Sequence, residues 1–191
     1  DVGRIARIRA TVAGAVALAL AGASIAAAQA APAPVAPAAP PSSFRGVALG
    51  MSVNQVKEIL RQDALYRYRG DPDVSFLPSS GESLIECEGS SYLGRAYFQF
   101  AGGALYVFIL VLDPKKLDHY SMFTAFSAKY GPPTSFNPQE AVWQSDAVRF
   151  SLERPLTVKY IDRRVFDAQV ARGAAQQDLE MLSRERFIEQ F

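Results

Sequence analysis

Hydrophobic positions fall into short alternating or continuous runs, separated by glycine, proline and charged residues, and the densest run, residues 94–112, organises the rest. Tyr97, Phe98 and Phe100 stand before Gly102-Gly103, and the seven residues from Leu105 to Val111 are all apolar. Aromatic and β-branched runs flanking a glycine pair predict a β-hairpin. A second arm with no polar position predicts a central strand covered on both faces, by helices or a second sheet.

The pattern on either side of this hairpin repeats in its order. Ser52-Val53-Asn54-Gln55 is a capping box that opens a helix to about Gln62, with Val53, Val56, Ile59 and Leu60 on one face. Strands are predicted over 83–88, 95–101 and 104–112. Asp113 as N-cap with Pro114 at the first helical position then predicts a second helix, running to Tyr130 and stopped by Gly131-Pro132-Pro133. Three more strands are predicted over 141–144, 147–153 and 156–162, with turns at Ser145-Asp146 and Arg154-Pro155. The expectation is an α+β domain over 44–162, built as two helix-plus-three-strand units forming an antiparallel sheet with the helices packed on one face. Residues 163–191 follow as a charge-rich C-terminal helix. Leu179, Leu182, Phe187, Ile188 and Phe191 are spaced for an amphipathic helix interrupted near Gly173, whose apolar stripe either packs on the sheet or docks on another protein.

Ahead of the domain lie two segments that set the address. Arg4, Arg7 and Arg9 precede the uncharged, alanine-rich run 10–28, and Ala28 and Ala30 supply a small-residue cleavage site, so residues 1–30 read as a signal peptide. The other reading of that run is an uncleaved membrane anchor, since its length would span a bilayer. Residues 31–43, with five prolines, form a Pro/Ala-rich linker suited to extended polyproline II.

Cleavage after Ala30 changes the charge picture from +1 to near balance, leaving 17 basic and 18 acidic side chains. Such a chain offers no electrostatic footprint for nucleic acid. The single cysteine, Cys87, has no internal disulfide partner, and none follows the apolar run for lipid attachment. The expected location is therefore periplasmic, with membrane contact only through an uncleaved leader.

Candidate chemistry is sparse. His119 is the only histidine, with no second imidazole to share a zinc ion, and reads as a surface or helix-cap residue. Cys87 lies between Glu86 and Glu88, where alternation points the thiol inward and the flanking carboxylates raise its pKa. Glu82, Glu86 and Glu88 lack the spacing of a calcium loop and read as a solvated strand face. No cofactor or metal site is outlined. Tyr66-Arg67-Tyr68-Arg69 puts tyrosines on one side and arginines on the other of an extended segment before a polar loop to Ser80. These residue types dominate binding hot spots, although an edge strand with outward arginines explains the pattern equally well.

Gly46-Val47-Ala48-Leu49-Gly50-Met51-Ser52, leading into the first helix, resembles the opening of the β-lactamase-inhibitor-protein-like repeat. The same opening occurs in the small outer-membrane-assembly lipoproteins of the SmpA/OmlA (BamE) group. The strand pair around Tyr97-Phe98-Gln99-Phe100 and Gly103-Ala104-Leu105-Tyr106-Val107 is similar too. Lys129-Tyr130-Gly131-Pro132-Pro133, Trp143 and Val158-Lys159-Tyr160-Ile161-Asp162 look like the matching parts of a second unit. The chain departs from the lipoproteins in lacking their acylated cysteine and in carrying Arg61-Gln62-Asp63 at the first helix end. The resemblance implies a non-enzymatic scaffold of the bacterial cell envelope that binds another envelope protein. With the sequence's own signals, this points to Tyr66, Arg67, Tyr68, Arg69, Leu182 and Phe187 as partner-binding residues. Two alternatives belong to other classes: a small apolar ligand or lipid carrier lined by Phe98, Phe100, Tyr106 and Phe108, and a carboxylate-dependent hydrolase using Glu86 and Glu88.

Overall fold

A computed structural model describes residues 39–76 and 82–188. The leader, most of the linker, Ser80 and Phe191 lie outside the described residues. The elements are β1 (Ser43–Phe44), β2 (Val47–Ala48), α1 (Val53–Gln62), β3 (Tyr66–Arg67), β4 (Val74–Phe76), β5 (Glu82–Gly89), β6 (Leu93–Ala101) and β7 (Ala104–Leu112). They continue as α2 (His119–Tyr130), β8 (Ser135–Phe136), β9 (Glu140–Gln144), β10 (Val148–Glu153), β11 (Thr157–Asp162) and α3 (Arg163–Ile188).

Two three-strand meanders, β5-β6-β7 and β9-β10-β11, join edge to edge where β7 pairs with β11. All pairings are antiparallel. The sheet runs β3-β5-β6-β7-β11-β10-β9-β8, with β4 also paired to β5. Each meander follows its own helix, as the repeat in the sequence predicts. Gly102 and Gly103, at φ of 57° and 80°, make the tight β6–β7 turn, because two successive positive φ values suit glycine and match the twist of the strands.

One row of side chains crosses six strands: Ile85, Phe98, Phe108, Tyr160, Phe150 and Trp143 face one another in register. The rings touch in sequence, Phe98–Phe108 at 6.2 Å, Phe108–Tyr160 at 4.1 Å, Phe150–Tyr160 at 4.9 Å and Trp143–Phe150 at 5.7 Å. Val56 and Leu60 of α1, and Phe123, Phe126 and Tyr130 of α2, pack into the same core cluster, so both helices lie on this one face. The Trp143 indole donates to the Gly131 carbonyl at 2.8 Å and ties the end of α2 to β9.

β7 is buried on its helix-covered face, and on the other face it is buried only at Tyr106 and Val107, with Ile109 and Val111 partly exposed. A register shift between Gln99 and Phe100 lets Leu105 and Phe108 share the helix-covered core, while Tyr106 and Val107 join Ile161 in a second cluster against Val165 of α3.

Two boundaries differ from the sequence reading. The second helix begins at His119, capped by Asp118, whose Oδ1 accepts from the Ser121 amide at 2.8 Å. Asp113 instead closes a turn, its side chain accepting from the Lys115 amide and its carbonyl from Lys116 and Leu117. Both aspartates offer cap chemistry, and the one whose cap opens the helix stands five residues later. Second, α3 runs unbroken through Gly173. A single interior glycine costs only about 1 kcal/mol, which good helix formers on either side absorb.

Candidate functional site

The segment that carries Tyr66 to Arg69 follows the edge-strand reading of its alternation, with Arg67 and Arg69 outward. β3 and β4 both pair with β5, so the segment forms part of the sheet edge, with a 3-10 turn at Asp71–Asp73 between them; residues 77–81 lie outside the described part. Tyr66 is only 4% exposed and meets Phe98 edge to face at 5.8 Å. It is a core residue, which removes it from the partner-binding set. Burial raises its hydroxyl above the ordinary tyrosine range. Alternation had separated tyrosines from arginines correctly, but the tyrosine side is the core side.

Tyr68 is half-buried against the same core, and its hydroxyl, like that of Tyr66, is buried without a hydrogen-bond partner. Arg69 is bound to Asp73: its backbone amide donates to Oδ2 at 2.8 Å, and its guanidinium lies 2.6 Å from Oδ1 of a carboxylate that is 0% exposed. Arg69 therefore holds a turn closed and is committed to it. Arg67, opposite Glu88, is exposed and remains available for contact.

The carboxylates of the hydrolase alternative sit nearby. Arg69, Asp73, Glu86, Glu88 and Arg95 line a cleft of about 180 Å³, in which Arg95 binds Glu86 at 2.7 Å. Cys87 points the other way into the core, and burial, with lesser contributions from Asp73 and Glu86, pushes its thiol up to about 12. His119 is half-buried at the start of α2, and its Nε2 has no hydrogen-bond partner. Burial lowers its pKa, and Arg154 adds to the shift. Phe98, Phe100 and Phe108 are packed solid, and Tyr106 lies on the opposite face, so these four do not enclose a common cavity.

α3 holds the remaining two residues. Its first turns are anchored: Arg163 donates to the Ser145 carbonyl at 2.8 Å, Val165 packs on Tyr106 and Ile161, and Gln169 donates to Glu82 at 2.6 Å. These anchors were missed in the sequence, because the Gln169–Glu82 bond joins residues 87 apart and no local pattern signals it. The helix then continues from Gly173 to Ile188 with every residue exposed. Leu182 and Phe187 are 52% and 61% exposed, and Leu179, Met181 and Ile188 are similarly open. At about 100° per residue, Leu179, Phe187 and Ile188 point in successive directions about a quarter-turn apart. The expected single apolar stripe is therefore absent, and apolar side chains surround this half of the helix. Among the described residues, no helix is long and apolar enough to cross a membrane.

Residues 42–172 match the family model described as the TP0088 domain. No curated protein and no solved structure matches the chain. The matched segment ends at Arg172, and the exposed C-terminal half of α3 lies beyond it.

Proposed function

We propose, from the premise that this chain belongs to the TP0088 domain family, that it is a non-enzymatic protein-binding module of the cell envelope, with the projecting half of α3 as its principal contact. The observation that carries this reading is the helix from Gly173 to Ile188, which buries none of its residues and yet presents five large apolar side chains. All five are more than half exposed, and an apolar surface of this kind on a folded protein marks an interaction site. A helix that is apolar on several sides suits a partner that encloses it, as a groove or a helix pair does. Arg67 on the sheet edge supplies a second contact.

The envelope location rests on the leader at 1–30, and the export reading makes the partner another envelope protein. The two helix-plus-three-strand units support the likeness to the β-lactamase-inhibitor-protein-like repeat, a scaffold for binding with no chemistry of its own. Glu86, already held by Arg95, is poorly placed to serve the hydrolase alternative.

A photoreactive amino acid placed at Leu182 or at Phe187 in living cells tests the proposal. The expected result is the same discrete crosslinked product from both positions and none from exposed Asp146 on the body. Equal labelling at all three positions would remove the helix from consideration.

A further inference from the structure

Beside α2 the core is incompletely filled. A cavity of about 260 Å³ opens over the seam where the two repeat units meet, floored by Leu110 and Leu112 of β7 and Val158 of β11. Met122 and Phe126 of α2 wall one side, and Phe44 from the β1–β2 hairpin covers it. Seven of its twelve lining residues are leucine, valine or methionine and four are aromatic, so the surface is mostly aliphatic and adaptable. An enclosed apolar cavity of about 150 Å³ in another protein admits benzene, so an apolar space of this size can take a small organic guest.

The mouth has a defined polar feature. Arg45, at φ 48° in the tight turn of the β1–β2 hairpin, reaches across to Asp63 at the end of α1, with Nε and Nη2 donating at 2.6 and 3.0 Å. This bidentate pair pins the hairpin tip over the opening and satisfies both charges. A second, open groove shares Arg45 and Leu65 with the cavity and leads to it from the outside.

We propose that this cavity of about 260 Å³ binds a linear alkyl chain of about nine carbons, taking each methylene as roughly the 30 Å³ that a water molecule occupies in the liquid, with an uncharged polar end beside the Arg45–Asp63 pair. The aliphatic lining selects the chain. The neutralised ion pair offers hydrogen bonds at the mouth without a net charge to attract an anion. The site is independent of α3, since none of its lining residues belongs to that helix.

Calorimetric titration of the full chain with straight-chain alcohols from hexanol to dodecanol tests the inference. One-to-one binding is expected, tightening about fourfold per methylene, the value of burying each CH₂, and levelling off near nonanol as the cavity fills. Met122→Trp, which fills the space from α2, is expected to weaken nonanol binding at least tenfold with the melting temperature held within a few degrees. Leu117→Trp serves the same purpose should Met122→Trp fail to fold. Phosphatidylcholine vesicles that displace nonanol would identify the source of the chain as a membrane lipid; failure to displace it would assign a free alkyl compound. Absence of saturable one-to-one binding by the full chain, or undiminished binding by a folded tryptophan variant, overturns the proposal.

Discussion

Phe108→Ala is the substitution that probes the architecture most sharply. The ring is 1% exposed, stands on the strand next to the seam of the two units, and lies between Phe98 at 6.2 Å and Tyr160 at 4.1 Å. Removing it costs the transfer free energy of the ring and leaves a cavity that rigid strand neighbours cannot close, which together amount to about 3 to 5 kcal/mol. Loss of two aromatic contacts places the value toward the upper end of that range. A domain of ordinary stability, about 5 to 15 kcal/mol, would lose a large fraction of it. Urea denaturation followed by the fluorescence of Trp143, the sole tryptophan and part of the same row, reads the effect directly. With a slope near 2 kcal/mol per molar urea, the midpoint is expected to fall by about 2 M while the slope stays unchanged. A shift under about 0.5 M would refute the claim that this row is the pillar of the sheet.

Other outcomes follow from single observations. Cys87 is expected to resist iodoacetamide at pH 8 in the folded chain and to react promptly in urea, because burial holds its thiol protonated with a pKa pushed up to about 12; rapid labelling without denaturant would contradict its burial. Asp118→Ala is expected to lower stability by about 1 kcal/mol through loss of the α2 cap, whereas Asp113→Ala, outside the helix, is expected to cost less; equal losses would contradict the boundary. His119 has a folded pKa below its ordinary 6.5, so the unfolded chain takes up the proton first. Stability is therefore expected to be full above pH 6.5 and to fall as pH drops toward the folded value. His119→Gln is expected to flatten that part of a melting-temperature profile, and an unchanged profile would show that another group is responsible.

Much of the fold was legible because its signals are short-range. A capping box, a glycine pair between aromatic runs and a proline-ended helix each act within a few residues, and the repeat follows from their order. What the sequence hid depends on the third dimension. Alternation at Tyr66-Arg67-Tyr68-Arg69 separates two sides but does not say which faces the core, so Tyr66 read as a contact residue and is a buried neighbour of Phe98. Asp113 and Asp118 have the same cap chemistry, and only the packing of the helix that follows decides between them. α3 is anchored in part by Gln169 meeting Glu82 across 87 residues, a pairing that composition does not encode. The cavity above the seam is equally silent in sequence, since it is a space between side chains that each look like ordinary core.

The central claim is that the projecting half of α3 serves binding and not folding, and a chain ending at Ala175 tests it most directly. Every core residue among the described residues lies before that point, and 1 kcal/mol corresponds to roughly 4 °C for a domain of this size. The shortened chain is expected to unfold cooperatively within a few degrees of the full one and, with the photoreactive amino acid placed at Arg67, to lose the crosslinked product that the full chain gives from that position. A shortened chain that aggregates, or one that keeps its partner at full yield, would contradict the account.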